Sequence, residues 1–313
     1  MNVYFIDKVH PVLFERLTKA GFVCIDASGF SFEEIVLQKE LVNGIVIRAK
    51  FQLNEERLAL FPNLQFIARS GSGLENIDVS YCKEHAIQLF NSPEGNRNAV
   101  GEHALGMLLS LMNKINQADQ QIRKGIWRRE ENRGEELDGK TVGIIGFGNN
   151  GSAFAKKLRG FDVRVLAYDK YKYGFGDSFV QESTLEAIFN AADIVSLHVP
   201  QNKETFGMVN ESFINAFQKP IYLLNLARGK IVDTEALIYG LETSKIKAAG
   251  LDVLAFESKD FESIFTNNLP AALSYLLSSN RVLLTPHVGG WTKESYVKLS
   301  DVLADKIIDF YQH

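Results

Sequence analysis

Gly146-Phe147-Gly148-Asn149-Asn150-Gly151 sets three glycines in G-x-G-x-x-G spacing. The apolar run Val142-Gly143-Ile144-Ile145 leads straight into it, and Ser152 to Leu158 follows with a helical pattern. In that context the first glycine permits a tight turn and the second lets the backbone approach a pyrophosphate. The third lets the helix pack closely on the strand. A helix N-terminus there offers unbonded N–H groups and a partial positive charge to phosphate. A second apolar run, Val163 to Tyr168, ends at Asp169, 21 residues beyond Gly148. A carboxylate at about that spacing accepts from the ribose hydroxyls of NAD and repels the extra phosphate of NADP. Lys170 weakens that exclusion slightly. The glycine spacing alone is weak, and a glycine-rich turn in an unliganded α/β domain is the plainer alternative. Strand, helix and acid together point to a dinucleotide site.

Three later segments place polar residues just after apolar runs. Asn225-Leu226-Ala227-Arg228-Gly229 follows Ile221 to Leu224. Asp252 and Glu257 follow Ala248 to Leu251, and Thr285-Pro286-His287 follows Arg281 to Leu284. Open α/β sheets bind ligands at the carboxyl ends of their strands. Taken singly, Arg228 reads as a surface cation, Glu257 as a solvated loop acid and His287 as a hydrogen-bonded structural histidine. Together they supply a cation for a carboxylate, a base for a hydroxyl proton and a group that tunes that base. That set suits hydride transfer from a hydroxy acid to a nicotinamide.

The elements that must hold these residues alternate. Val3 to Ile6, Phe22 to Ile25, Gly44 to Ile47 and Leu64 to Ala68 read as strands with helical stretches between them. A second alternating series runs from Thr141 to about Pro286. The fold expected is α/β with parallel sheets in two domains. The glycine turn sits mid-chain, so the nucleotide domain is the second, and the first should supply the substrate side. Asn98 to Lys124 is the longest helical pattern, with an apolar stripe wider than one face. It is expected to serve either a homodimer contact or burial within one subunit. Glu130 to Lys140 reads as a charged, solvated loop. Lys293 to Tyr311 reads as a closing amphipathic helix.

Composition narrows the class. The 313 residues are 46% apolar and 23% charged, with a net charge of −4. These values suit a globular chain of about two domains, and no basic footprint suggests nucleic acid. Cys24 and Cys82 make no disulfide framework. No basic, apolar leader or membrane-length run is evident. A cytoplasmic protein with no membrane partner is expected, and no metal-binding set is assigned.

The chain resembles the D-isomer-specific 2-hydroxyacid dehydrogenases, most of all their phosphoglycerate dehydrogenase branch, from about Gly44 to His313. The resemblance rests on Arg69-Ser70-Gly71-Ser72-Gly73-Leu74-Glu75-Asn76-Ile77-Asp78, Asn91-Ser92-Pro93, Val100-Gly101-Glu102 and the glycine turn. It rests also on His198-Val199-Pro200 with Thr205, and on the Arg228, Glu257 and His287 blocks. It implies two Rossmann-like or flavodoxin-like domains. A nucleotide-binding domain, 98–287, is inserted into a discontinuous substrate domain, 1–97 and 288–313. It implies NAD as cofactor, with Gly146, Gly148, Asn149, Asn150, Gly151, Asp169, His198, Pro200 and Thr205 binding it. Ala227 and Asp252 would fix the nicotinamide carboxamide. Arg228 would hold the substrate carboxylate, His287 would take the C2 hydroxyl proton and Glu257 would orient His287. Ser72 and Gly73 N–H groups would bind the carboxylate, with Asn76 in the same loop.

The branch implies D-3-phosphoglycerate oxidation to 3-phosphohydroxypyruvate in serine biosynthesis, with Arg48, Lys50 and Arg69 on the substrate phosphate. The first alternative is glyoxylate or hydroxypyruvate reduction, or a D-lactate-type activity. A remote one is an NAD-sensing, corepressor-like binding protein. Three departures stand out. Asn150 replaces the usual apolar residue, Ser258 replaces the usual proline, and the 258–286 segment is long. The regulatory domain of long members is not expected.

Overall fold

The computed structural model describes residues 1–257 and 269–312. Ser258, and the part of the long segment up to residue 268, lie outside the described residues. The chain forms two compact units. One is Met1–Arg97 with Trp291–His313, and the other is Asn98–Gly290.

The first unit carries β1 (Asn2–Phe5), α1 (Pro11–Lys19), β2 (Val23–Asp26), α2 (Phe32–Val36), β3 (Gly44–Ile47), α3 (Glu55–Leu58), β4 (Phe66–Arg69), α4 (Val79–Glu84) and β5 (Gln88–Asn91). Its sheet runs β2-β1-β3-β4-β5, with every pairing parallel. Successive strand residues face opposite sides, and both sides are covered here. Tyr4, Ile45, Ile47 and Ile67 join one core, whereas Val3, Phe5, Val46, Phe66 and Ala68 join the other. Side chains all buried on both faces are the mark of a parallel sheet. Polar caps start the short helices. Ser31 and Glu34 form a capping box at α2, and Asp78 accepts from Tyr81 N–H at the start of α4.

The expected single helix from Asn98 to Lys124 is two. It starts earlier, as α5 (Pro93–Met112), whose first five residues belong to the first unit. The chain breaks at Lys114, in the left-handed region at φ 51°, and resumes as α6 (Ile115–Arg123). Ala104, Met107, Leu108 and Met112 are buried, whereas Ile115 and Ile122 are exposed. The wide stripe of the sequence is therefore two different faces laid end to end.

The second unit continues with β6 (Thr141–Ile145), α7 (Asn149–Lys157), β7 (Arg164–Tyr168), β8 (Val180–Glu182), α8 (Leu185–Ala191), β9 (Ile194–Leu197), α9 (Glu211–Asn215), β10 (Ile221–Asn225), α10 (Thr234–Glu242), β11 (Ile246–Leu251), α11 (Ala271–Ser278) and β12 (Val282–Leu284). Helix α12 (Lys293–Gln312) returns to the first unit. The order is β12-β11-β10-β9-β6-β7-β8, again parallel throughout. The order reverses between β6 and β9, which makes that pair the switch point where such sheets bind ligands. Glycines allow close crossings: a Cβ on Gly101 of α5 would stand 3.0 Å from the Ala153 carbonyl of α7. No helix among the described residues is long and apolar enough to cross a membrane.

Candidate active site

Two groups of residues collect at the carboxyl ends of the second sheet. The glycine turn, Asp169 and His198 follow β6, β7 and β9. Arg228, the Asp252–Glu257 segment and His287 follow β10, β11 and β12. Each group thus sits on three adjacent strands.

In the first group each glycine has its own physical reason. Gly146 is at φ +93°, and a Cβ there would come within 2.5 Å of the His198 carbonyl. A Cβ on Gly151 would stand 2.0 Å from the Gly146 carbonyl. Gly148 differs, since a Cβ would meet nothing within 4 Å. The position is open, directly before the N-terminus of α7, where no side chain among the described residues caps the helix N–H groups. An uncapped helix start facing open space fits a pyrophosphate. Asn150 Oδ1 is buried without a hydrogen-bond partner among the described residues. Asp169 closes around the turn, with Oδ2 accepting from Phe147 N–H at 2.7 Å and Oδ1 accepting from Tyr171 N–H at 3.0 Å. Lys170 pairs with Glu204 at 2.9 Å.

His198 touches the turn through its backbone, not its ring. The ring packs on Phe154, and its Nε2 shares a hydrogen bond with Ser196 Oγ at 2.8 Å. Burial pushes its pKa down to about 4, so the imidazole is neutral at pH 7. Thr205 builds the following turn, donating through Oγ1 to the Pro200 carbonyl at 2.6 Å.

In the second group, Asn225 shapes the loop after β10. It is 1% exposed, donates to the Arg228 carbonyl at 2.9 Å and accepts from Ala227 N–H at 3.1 Å. Arg228 Nη1 donates to the Ala227 carbonyl at 2.6 Å. Gly229 brings this loop against the next one, since a Cβ there would overlap the Leu254 carbonyl carbon at 2.0 Å. Glu257 Oε1 accepts from Leu254 N–H at 2.5 Å, and Oε2 lies 2.8 Å from His287 Nδ1. The carboxylate therefore holds the Nδ1 proton and leaves Nε2 as the basic nitrogen.

Asp252 closes the His287 loop. It is 2% exposed. Its Oδ1 accepts from Thr285 Oγ1 at 2.6 Å and Val288 N–H at 2.9 Å, and its Oδ2 accepts from Gly289 N–H at 2.8 Å. Its own carbonyl accepts from His287 N–H at 2.8 Å. His287 is thereby held at φ +55°. The carbonyl of Ala227 and the carboxylate of Asp252, read from sequence as nicotinamide contacts, both carry protein bonds here. His103 of α5 joins this network, with Nε2 3.0 Å from Thr285 Oγ1. Sequence reasoning missed it, although the helical stripe ran past it.

In the first unit, Arg48 and Lys50 follow β3, and Arg69 ends β4. The carboxylate of Asp7, after β1, accepts from the N–H groups of Arg48, Ala49 and Lys50 at 2.8 to 3.0 Å. Lys50 Nζ donates to the carbonyls of Ser28 and Phe30 at 2.6 and 2.7 Å. Arg69 Nε donates to the Arg48 carbonyl at 3.1 Å, and Asn76 Nδ2 donates to that of Phe51 at 3.2 Å. The amide of Asn76 is buried structure. Ser72 Oγ donates to Asn96 Oδ1 at 2.9 Å. Of the three cations read from sequence as one phosphate pocket, Arg69 is bonded to the backbone of Arg48, and Lys50 Nζ is engaged by two backbone carbonyls.

Comparison with known proteins gives this geometry a family. Residues 105–289 match the model of the D-isomer specific 2-hydroxyacid dehydrogenase, NAD binding domain. The chain is 30% identical to D-3-phosphoglycerate dehydrogenase of Archaeoglobus fulgidus over 311 residues, 99% of this chain and 57% of that one. It is 35% identical to hydroxypyruvate reductase of Thermotoga maritima over 266 residues, covering 85% and 84% of the two chains. It thus spans little more than half the length of that phosphoglycerate dehydrogenase. D-lactate dehydrogenase from Aquifex aeolicus, solved with NAD and lactic acid, superposes with a TM-score of 0.82 at 27% identity, covering 100% of this chain and 96% of that one. An NAD-binding-domain match over more than half the chain and the hydroxypyruvate reductase likeness along most of both lengths agree: the chain belongs to the D-isomer specific 2-hydroxyacid dehydrogenase family.

Proposed function

We propose that this protein interconverts a short D-2-hydroxy acid and its 2-oxo acid with NAD. The observation that carries the reading is the 2.8 Å pair of Glu257 Oε2 and His287 Nδ1, set beside the Arg228 loop on neighbouring strands. NAD, when bound, supplies the hydride acceptor at its nicotinamide ring. The N–H groups at the start of α7 would hold its pyrophosphate, and Asp169 would meet its ribose. His287 Nε2 accepts the C2 hydroxyl proton. Glu257 opposes the positive charge that develops on the ring. Arg228 pairs with the substrate carboxylate, to which a guanidinium offers two parallel donors. In the reverse direction His287 returns the proton to the 2-oxo oxygen.

For the acid itself, two readings stand. Phosphoglycerate rests on Arg48, Lys50 and Arg69 acting together. Lys50 Nζ is held by two backbone carbonyls, and this favours the second reading, an unphosphorylated acid such as hydroxypyruvate or glyoxylate. Turnover of 3-phosphohydroxypyruvate, hydroxypyruvate and glyoxylate, measured side by side with NADH, separates them. We expect hydroxypyruvate to lead. A clear advantage for the phosphorylated acid restores the first reading, and no turnover of any of them overturns both. We further propose a homodimer using the exposed Ile115 and Ile122 of α6, and sedimentation at micromolar concentration tests it.

A further inference from the structure

His287 sits in the left-handed region at φ +55°, a conformation that persists in a residue with a Cβ only where its surroundings impose it. Asp252 grips the chain on both sides of it. Its carboxylate accepts from the Thr285 hydroxyl before His287, and from the Val288 and Gly289 N–H groups after it. Two of these three donors are backbone groups, whose direction the chain sets. The third is a hydroxyl, whose proton turns about the Cβ–Oγ bond. Met107 Sδ, a weak acceptor, lies within its reach at 4.0 Å. One further side chain meets the hydroxyl. His103, on α5, has Nε2 3.0 Å from Thr285 Oγ1 and 3.6 Å from Asp252 Oδ1. A carboxylate only accepts, so the single Thr285 proton goes to Asp252 at 2.6 Å. Thr285 Oγ1 is then left to accept from His103, and the His103 ring carries a proton on Nε2. The bonds thus run one way, from His103 through Thr285 to Asp252. The helix behind them is anchored, since Val100, Ala104 and Met107 lie in the core of the second unit, and every residue of the chain of bonds belongs to that unit.

We propose that His103 is a positioning residue for His287. By fixing the Thr285 hydroxyl on Asp252, it sets the loop that carries the base and hence the place of His287 Nε2. This rests on the proposed 2-hydroxyacid chemistry. His103 exchanges no proton with the substrate. It acts on the alignment of the proton transfer, so its loss moves kcat rather than KM.

The test is a double-substitution cycle read on hydroxypyruvate reduction with NADH. His103→Leu removes the donor and should lower kcat about tenfold, with the KM for hydroxypyruvate and for NADH within about twofold. His103→Gln returns an N–H donor to much the same place and should keep most of the wild-type kcat. Thr285→Val should cost at least as much as His103→Leu, and adding His103→Leu to it should cost nothing further. Losses that multiply, or a His103→Gln variant as slow as His103→Leu, overturn the proposal. A second readout needs no turnover and stands if Thr285→Val fails to fold. Nitrogen NMR on histidine-labelled protein, in mildly alkaline solution, shows which ring nitrogen carries the proton. We expect Nε2 for His103 and Nδ1, bonded to Glu257, for His287. In His103→Leu the His287 Nδ1 proton signal should shift or broaden, and in His103→Gln it should stay. A His103 proton on Nδ1, or a His287 signal indifferent to His103→Leu, overturns the proposal. If the NMR result is as expected while the wild type reduces no acid, the proposed reaction fails and the role of His103 in holding the loop stands.

Discussion

The two sheets of this molecule are built alike and treat their switch points in opposite ways. Both are parallel, and both reverse strand order beside their first strand. In the second unit the crevice between β6 and β9 is kept open by Gly148, where even a methyl group would meet nothing. In the first unit, the backbone N–H groups beyond β3 already hold an anion, the carboxylate of Asp7. Topology offers a ligand site in both places, and one side chain decides whether a ligand or the chain itself fills it.

That contrast can be broken or sharpened by substitution. The largest effect is expected at the chemistry of the second sheet. His287→Gln should lower kcat by about 10² to 10⁴, the usual worth of a general base, with NAD affinity kept, as steady-state and binding measurements will show. Next are the glycines. Gly148→Val should weaken NAD binding by about tenfold to a hundredfold through lost pyrophosphate bonds, with thermal stability unchanged. Gly151→Ala should do the reverse, because its Cβ would run into the Gly146 carbonyl and overpacking costs about 1–3 kcal/mol. Calorimetry on the two variants checks the crossing.

His198 predicts a pH effect on the same crevice. Its pKa in the fold is about 4, below the unfolded value. Between pH 6.5 and 4 the unfolded chain therefore binds a proton that the fold refuses. Stability should fall by roughly 3 kcal/mol over that window, and His198→Phe should flatten the slope seen in urea titrations. The smallest effect belongs to the closed crevice. Asp7→Gly leaves three N–H groups without an acceptor and should cost about 1–3 kcal/mol. Added sulfate should return part of that stability to the variant and much less to the wild type. If sulfate acts equally on both, the first crevice is not an anion site in disguise.

Which features were legible in sequence follows the range of the interactions. The glycine turn and its acid are local, and the structure folds them as the spacing implied. The two parallel sheets were legible because the central strands are apolar on both faces almost throughout, with Ser196 of β9 a buried exception. The break at Lys114 was not, since neither Gly nor Pro marks it and the apolar periodicity runs on past it. Glu135 shows the same limit. It lies in a stretch that reads as a solvated loop, yet it bonds Lys247 Nζ at 2.9 Å and accepts from the Tyr222 hydroxyl at 3.2 Å. Those partners lie about a hundred residues downstream. The work of Asp252 was hidden for a related reason. Its bonds go mainly to backbone N–H groups of the His287 loop, and backbone donors leave no trace in side-chain identity.

The left-handed backbone of His287 carries a consequence for how this position can change. A side chain with a Cβ is held there at a cost of order 1–2 kcal/mol, and glycine or asparagine suits the same dihedral angles better. A library of all residues at 287, sorted for folded yield, should enrich glycine and asparagine. The same library sorted for turnover should return histidine alone. Drift toward robustness at this one residue is drift away from catalysis, so the histidine persists only while turnover is under selection.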